Sequence, residues 1–313
     1  MVPLRDEARS ARLSSRASVQ RFASYRWPTP KGHGRDKIWH YDSGMAINSI
    51  LHPTDFSDLS GAAFAHALRI ALAARSKLHL LHVEPHNTCG AQAFPQVRQL
   101  LVQWGFAEED EPPWVIASRL GIEVDTTLLK GQEPTQGILG FLRDSPSHLT
   151  VLATRGRDGL ECWLNGSVSE IVARHSAAPT LFIAPGATGF VSQINGEVKL
   201  RRALVPIDFS PRAYKAIKTV ALMGRLLTGA EIMLHFLHVG RTAPSLSASR
   251  ATQVMVRSGN VVNTIIDVAI EFEVDFIGMP TAGHRNILDV FRGSTTERVI
   301  RHAPCPVIAI PAA

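Results

Sequence analysis

Residues 50–71 read ILHPTDFSDLSGAAFAHALRIA, and residues 203–224 read ALVPIDFSPRAYKAIKTVALMG. Each holds a short apolar run, a proline, an aspartate followed by Phe-Ser, and then apolar residues at helical spacing. Two further blocks repeat in the same order. LHLLHVEP (from Leu78) matches MLHFLHVG (from Met233), and NGSVSEIVARHSAAPTLFIAP (from Asn165) matches RGSTTERVIRHAPCPVIAIP (from Arg292). Three blocks in one order mark an internal duplication. The offset between copies is 153 at Asp55 and Asp208 and 156 at His82 and His238, then 128 at Gly131 and Gly259 and 127 at Gly166 and Gly293. The second copy has therefore lost about 28 residues between His238 and Gly259. The first copy carries PQVRQLLVQWGFAEED there, a helix by its pattern, whereas RTAPSLSASRATQ in the second is too short and broken for one.

Within a unit, SILHPTD reads as a buried strand and its exit, and Ser57 or Asp58 can cap a helix with Ala62, Phe64, Ala65, Leu68 and Leu72 on its apolar positions. KLHLLHVE is a second strand, GIEVDTTLLKG a third, EPTQGILGFLRDS a helix and HLTVLAT a fourth strand. SVSEIVARHS is a helix opened by Ser167, and PTLFIAP is the last strand. Apolar strands alternating with helices imply a parallel sheet covered on both faces, and right-handed crossovers make it doubly wound. The fold expected is α/β, two tandem doubly wound five-stranded sheets, the second shortened after its second strand. Such sheets bind ligands beyond the carboxyl ends of their strands, where neighbouring connections leave for opposite faces. The exits of the first strand, at Asp55, and of the fourth, near residues 154–159, are the candidates.

Bulk properties narrow the function. A pI near 9.5 suggests a nucleic-acid partner, but residues 1–44 carry a net charge of +5 out of a total of +6. The folded part is almost neutral, so no nucleic-acid partner is expected. No apolar run is long enough for a transmembrane helix, and no membrane partner is expected. Cys89, Cys162 and Cys305 lie far apart with no CxxC pair, as suits a reducing cytoplasm. The expected division is a basic N-terminal extension over 1–45, units over 46–186 and 200–313, and a linker over 187–199. The extension reads as a disordered basic arm, as sequence upstream of a start at Met45, or as an Arg/Ser-rich transit peptide.

Both copies carry Gly, nine residues, then Gly-Ser at a helix start: Gly156 with Gly166 and Ser167, and Gly283 with Gly293 and Ser294. Glycine permits close backbone approach, and free N–H groups at a helix start attract anions. The same Gly-Ser is also a common helix cap. Here the chain resembles the universal stress protein family, through PTDFS and PIDFS, the LHV strand ends, the G-x9-G-S segments and the closing RHAPCPVIAIP. The resemblance covers about residues 47–186 and 200–313. It implies a Rossmann-like, adenine nucleotide α-hydrolase-like fold, and a stress-response protein that binds ATP, with Mg²⁺ as an accompanying ion, in a regulatory role.

In nucleotide-binding members the aspartate after strand one and the residue ending strand two hold the adenosine part, and the Gly and Gly-Ser positions cradle phosphates. The resemblance thus points to Asp55, Val83, Gly156, Gly166, Ser167, Val168 and Ser169 in the first unit. In the second it points to Asp208, Val239, Gly283, Gly293, Ser294, Thr295 and Thr296. The family pattern begins with one more glycine, and this chain has Ala153 and Pro280 there. Proline removes an N–H, which with the deletion favours the first unit as the ATP site. The resemblance also implies that the two last strands pair within one chain, as the family's homodimer does between chains. A further dimer of chains and an unidentified protein partner remain open.

His79 and His82, like His235 and His238, stand three apart on a strand and face opposite ways, so neither pair converges on a metal. His302 and His175 suit the last turn of a helix, and Cys305 suits a small core position. No GxSxG, HExxH or Walker A motif occurs, and no catalytic residue is assigned. A nucleotide-free scaffold of the same fold is the competing reading. A weak ATPase stays open, since phosphoryl transfer depends mostly on positioning and charge.

Overall fold

A computed structural model describes residues 46–84, 94, 96–154, 178–244, 253–281 and 295–311. The extension expected over 1–45, the helix expected to open at Ser167, and Cys89, Cys162 and His175 lie outside the described residues.

The first unit runs β1 (Ser49–Pro53), α1 (Asp58–Ala74), β2 (Lys77–Glu84), α2 (Val97–Gln103), α3 (Pro113–Leu120), β3 (Glu123–Lys130), α4 (Pro134–Asp144), β4 (Leu149–Ala153) and β5 (Thr180–Ile183). The second runs β6 (Arg202–Pro206), α5 (Tyr214–Thr228), β7 (Met233–Val239), β8 (Val254–Arg257), α6 (Val261–Glu271), β9 (Phe276–Thr281), α7 (Thr295–His302) and β10 (Val307–Pro311). The strands form one sheet in the order β3-β2-β1-β4-β5-β10-β9-β6-β7-β8. Each half has the same 3-2-1-4-5 order, parallel throughout, and the halves meet where β5 and β10 pair antiparallel with Ile308 opposite Leu181. That is the pairing expected of the two last strands, and it leaves neither as an open edge.

Strand alternation splits the core between two faces. Ile50, Leu78, Leu80 and Val151 pack against α1 and α5 on one face, while Leu51, Leu81, Leu152 and Leu204 lie on the other with α4, α6 and α7. Helix α1 starts where its sequence says it should: Ser57 is the N-cap and its hydroxyl accepts from the Ser60 N–H. The stretch expected as one helix is a short one, α2, followed by a second, α3, which opens on Pro113 and closes on Gly121 in the left-handed conformation. Between β7 and β8 no helix occurs among the described residues.

Residues 187–199, the expected linker, fold back on themselves through a bridge between Val191 and Val198. Phe190 and Val191 are buried. The Phe190 ring meets the edge of Phe276 from the second unit at 5.5 Å and the ring of His66 from the first at 4.5 Å. Trp104 Nε1 donates to the Gln193 carbonyl and Arg69 Nε to that of Gly196. No helix among the described residues is long and apolar enough to cross a membrane.

Candidate functional site

The strand order puts β1 beside β4 and β6 beside β9, the two places where neighbouring connections diverge. At each, the chain leaves the first strand of the unit under the same control. Thr54 N–H donates to Leu81 O at 2.8 Å, and Thr54 O accepts from His82 Nδ1 at 2.7 Å. In the second unit Ile207 N–H donates to Leu237 O at 2.8 Å, and Ile207 O accepts from His238 Nδ1 at 3.1 Å. A carbonyl only accepts, so each Nδ1 carries the proton. His82 and His238 thus pin the residue before each aspartate. Among the described residues no group of three His, Cys, Asp or Glu is placed to hold a metal.

The second switch point encloses a cavity of about 280 Å³. Its apolar lining includes Leu237, Val261, Ile265 and Met279, and its polar lining includes Asp208, His238 and Thr281. Val239, Thr295 and Thr296 also line it, so with Asp208 four of the residues expected to hold a nucleotide converge here, beside Pro280. Thr295 and Thr296, the first described residues of α7, both line the cavity. An apolar chamber with a few convergent polar groups has the character of a small-molecule site. Asp208 is 66% exposed, and its Oδ1 lies 3.8 Å from His238 Nδ1 and accepts the Phe209 N–H at 2.8 Å.

The first switch point is arranged differently. Asp55 turns back on its own loop: its Oδ1 accepts the Ser57 hydroxyl at 2.6 Å and the Ser57 N–H at 3.1 Å. Val83 is buried, and α4 presses on it so closely that a Cβ on Gly137 would stand 2.8 Å from Val83 Cγ1. The aligned position in the second unit is Ile265, which lines the cavity. The remaining expected positions, Gly156, Gly166, Ser167, Val168, Ser169, Gly283, Gly293 and Ser294, lie outside the described residues.

Beneath the first site, His52 is fully buried, with Nδ1 bonded to Val151 O at 3.0 Å and Nε2 without a partner. Burial drives its pKa down to about 4, against partial offsets from the Val151 bond and the Asp55 charge. No sequence signal marks this role, since the same position in the second copy is Val205. The paired strand histidines behave as strand alternation demands: His79 packs on Phe141 across the face opposite His82, and His235 packs on Phe272. His302 bonds back to Arg298 O in the last turn of α7, and burial pushes the Cys305 thiol up to about 12.

Comparison with known proteins agrees with this architecture. The sequence pattern of the universal stress protein family matches residues 46–184 and 247–311. The chain belongs to that family. A curated universal stress protein of Methanocaldococcus jannaschii is 30% identical over 138 residues, 43% of this chain and 80% of that protein. One from Bacillus subtilis is 26% identical over 148 residues, 44% of this chain and 99% of that protein. Each aligns with less than half of the chain, as a single-unit relative of a duplicated protein would. Two crystal structures match most of it. A universal stress protein from Archaeoglobus fulgidus has a TM-score of 0.58 at 22% identity, covering 85% of this chain and 97% of its own. A putative universal stress protein from Pseudomonas aeruginosa has a TM-score of 0.55 at 15% identity, covering 85% and 94%. At these identities they speak for the fold alone.

Proposed function

We propose that this universal stress protein is a cytoplasmic stress-response protein that binds an adenine nucleotide, ATP with Mg²⁺, as a regulatory signal rather than as a substrate. Its two units, 46–186 and 200–313, would each present one site, joined by residues 187–199. The observation that carries the reading is the cavity at the second switch point, where Asp208, Val239, Thr295 and Thr296 converge on an apolar chamber beside α7. The residues that the family resemblance assigns to phosphates, Gly293 and Ser294, immediately precede Thr295 in the sequence.

The test is calorimetry of the full chain with ATP and Mg²⁺, beside Gly166→Val and Gly293→Val variants. Binding in the micromolar range, lost for one site in each variant, is the expected result. No binding by the folded parent chain would overturn the reading. Multiple-turnover phosphate release in the same samples would replace the regulatory role by an enzymatic one, and sedimentation would register a dimer of chains. A second reading has an observation in its favour at the first unit. Asp55 closes its own turn through Ser57, which suits a unit that serves as an interaction scaffold without nucleotide.

A further inference from the structure

The same three residues, Asp-Phe-Ser, follow the first strand of each unit and adopt two different arrangements. In the first unit Phe56 has φ +62°, in the left-handed region. Outside glycine, the described residues with positive φ are Phe56, Arg75 and Glu273, and Phe209 is not among them. The turn at Phe56 swings Asp55 Oδ1 onto the Ser57 hydroxyl and N–H, and lays the Phe56 ring on His82 at 4.2 Å with Phe94 at its edge at 5.5 Å. A groove beside this turn is lined by Thr54, Phe56, Ser57 and Gln193, but not by Asp55. In the second unit the Phe209 ring stands 63% exposed and only edge-on to His238 at 5.8 Å. Asp208 there lines the cavity.

We propose that the Asp-Phe-Ser turn is a two-state gate on the nucleotide site, closed in the first unit and open in the second. In the closed state the aspartate is satisfied by its own serine, and an aromatic ring covers the strand-two histidine beside it. In the open state the ring is released and the aspartate faces the chamber. The histidine does not change: its Nδ1 holds the carbonyl before the aspartate in both units, so the gate moves on a fixed post. An aromatic residue at positive φ is strained, and strain of this kind marks a conformation that neighbouring contacts must hold. Those contacts are the Ser57 bonds and the ring stack. A ligand that engages Asp55 competes with them directly, which makes the first unit the weaker site. The inference rests on the nucleotide reading and refines it: the two units bind the same ligand with different affinity, and the difference lies in the turn.

Two substitutions separate the backbone from the ring. Phe56→Gly and Phe56→Val both remove the stack on His82. Glycine adopts positive φ freely, whereas a β-branched residue resists it. In full-length protein carrying Asp208→Ala to weaken the second site, the Val variant should bind ATP at the first unit about tenfold more tightly than the Gly variant. Nuclear magnetic resonance reads the turn without ligand. The strong intraresidue amide-to-Hα contact of a positive-φ residue should appear at position 56 in the parent and be lost in Phe56→Val. Equal ATP affinities in the two variants, or tighter binding by Gly, would overturn the gate while leaving the nucleotide reading intact. A resonance signal that persists in Phe56→Val would also overturn it. Absence of ATP binding in both units of the parent chain would overturn both.

Discussion

Val191 donates its backbone N–H to Nε2 of His66, 3.2 Å away, and thereby fastens the segment between the units to helix α1. His66 Nδ1 bonds Ala62 O at 2.8 Å, so the ring is committed to the tautomer with Nε2 bare. It is 1% exposed, and burial lowers its pKa to about 4. Protonation at Nε2 would place two hydrogens against each other and break the bond to Val191.

The pH dependence of stability follows. His52 and His66 both titrate near 4 in the folded chain against an ordinary 6.5. A folded pKa below the unfolded one means that the unfolded chain takes the proton more readily. The stability these two groups confer is therefore present above pH 6.5 and is lost as the pH falls from 6.5 towards 4. At pH 5 the loss is about 2 kcal/mol for each. Urea unfolding at pH 7.5 and pH 5 checks it, and His66→Gln should remove about half of the difference. A midpoint unchanged between the two pH values would refute the assignment.

Gly196 is fixed by both conformation and space. Its φ is +68°, and a Cβ there would stand 2.6 Å from Trp104 Cδ2. Gly196→Ala should cost about 2–4 kcal/mol, from the left-handed backbone and the overlap together. The Trp104 Nε1 bond to Gln193 O would be strained at the same time, so tryptophan fluorescence should shift with the drop in urea midpoint. Stability within about 0.5 kcal/mol of the parent would show that the loop yields without cost.

How much of this was legible follows from the range over which each signal acts. Strand β2 spans Lys77–Glu84, the stretch its apolar pattern marked, and Ser57 caps α1 as one of the two residues that could. Both depend on neighbours in sequence. The duplication exposed two matching apolar last strands, and the family resemblance implied the partnership of β5 with β10. The ordered course of residues 187–199 was not legible, since the apolar residues there, Phe190 and Val191 among them, are too few and too irregularly spaced to show a period. Their burial is decided by His66, Trp104 and Phe276, which lie about 85 or more residues away in the sequence. The site divides in the same way. Asp208, Val239, Thr295 and Thr296 were named from motif position and converge on a cavity, but the identical Asp-Phe-Ser letters conceal two backbone states. The residue that follows differs, Asp58 in one copy and Pro211 in the other, but the three shared letters carry no trace of the two states.

Phe190 links the halves through its contacts to His66 and Phe276. Phe190→Ala would empty a buried aromatic position between α1 and β9 and should cost about 3–5 kcal/mol. Loss at the junction should also loosen the coupling of the two units. Unfolding followed by two probes, one in each unit, should separate into two transitions in the variant and coincide in the parent. Coincident transitions in the variant would assign the coupling to the β5–β10 pairing instead.

The two aspartates should respond unequally to the same change. Asp208 lines the cavity at its rim, so Asp208→Ala should weaken ATP binding at the second unit about tenfold, or roughly 1.4 kcal/mol. Asp55 already serves the Ser57 hydroxyl and N–H, so its removal should act first on the fold. Asp55→Ala should lower the stability of the first unit by about 1 kcal/mol through the lost turn bonds, with a smaller change in ATP affinity than at Asp208. Calorimetry with ATP and urea unfolding on each variant measure both quantities. If Asp55→Ala lowered ATP affinity more than Asp208→Ala, the first turn would have to stand open in solution, and the second cavity would not be the stronger site.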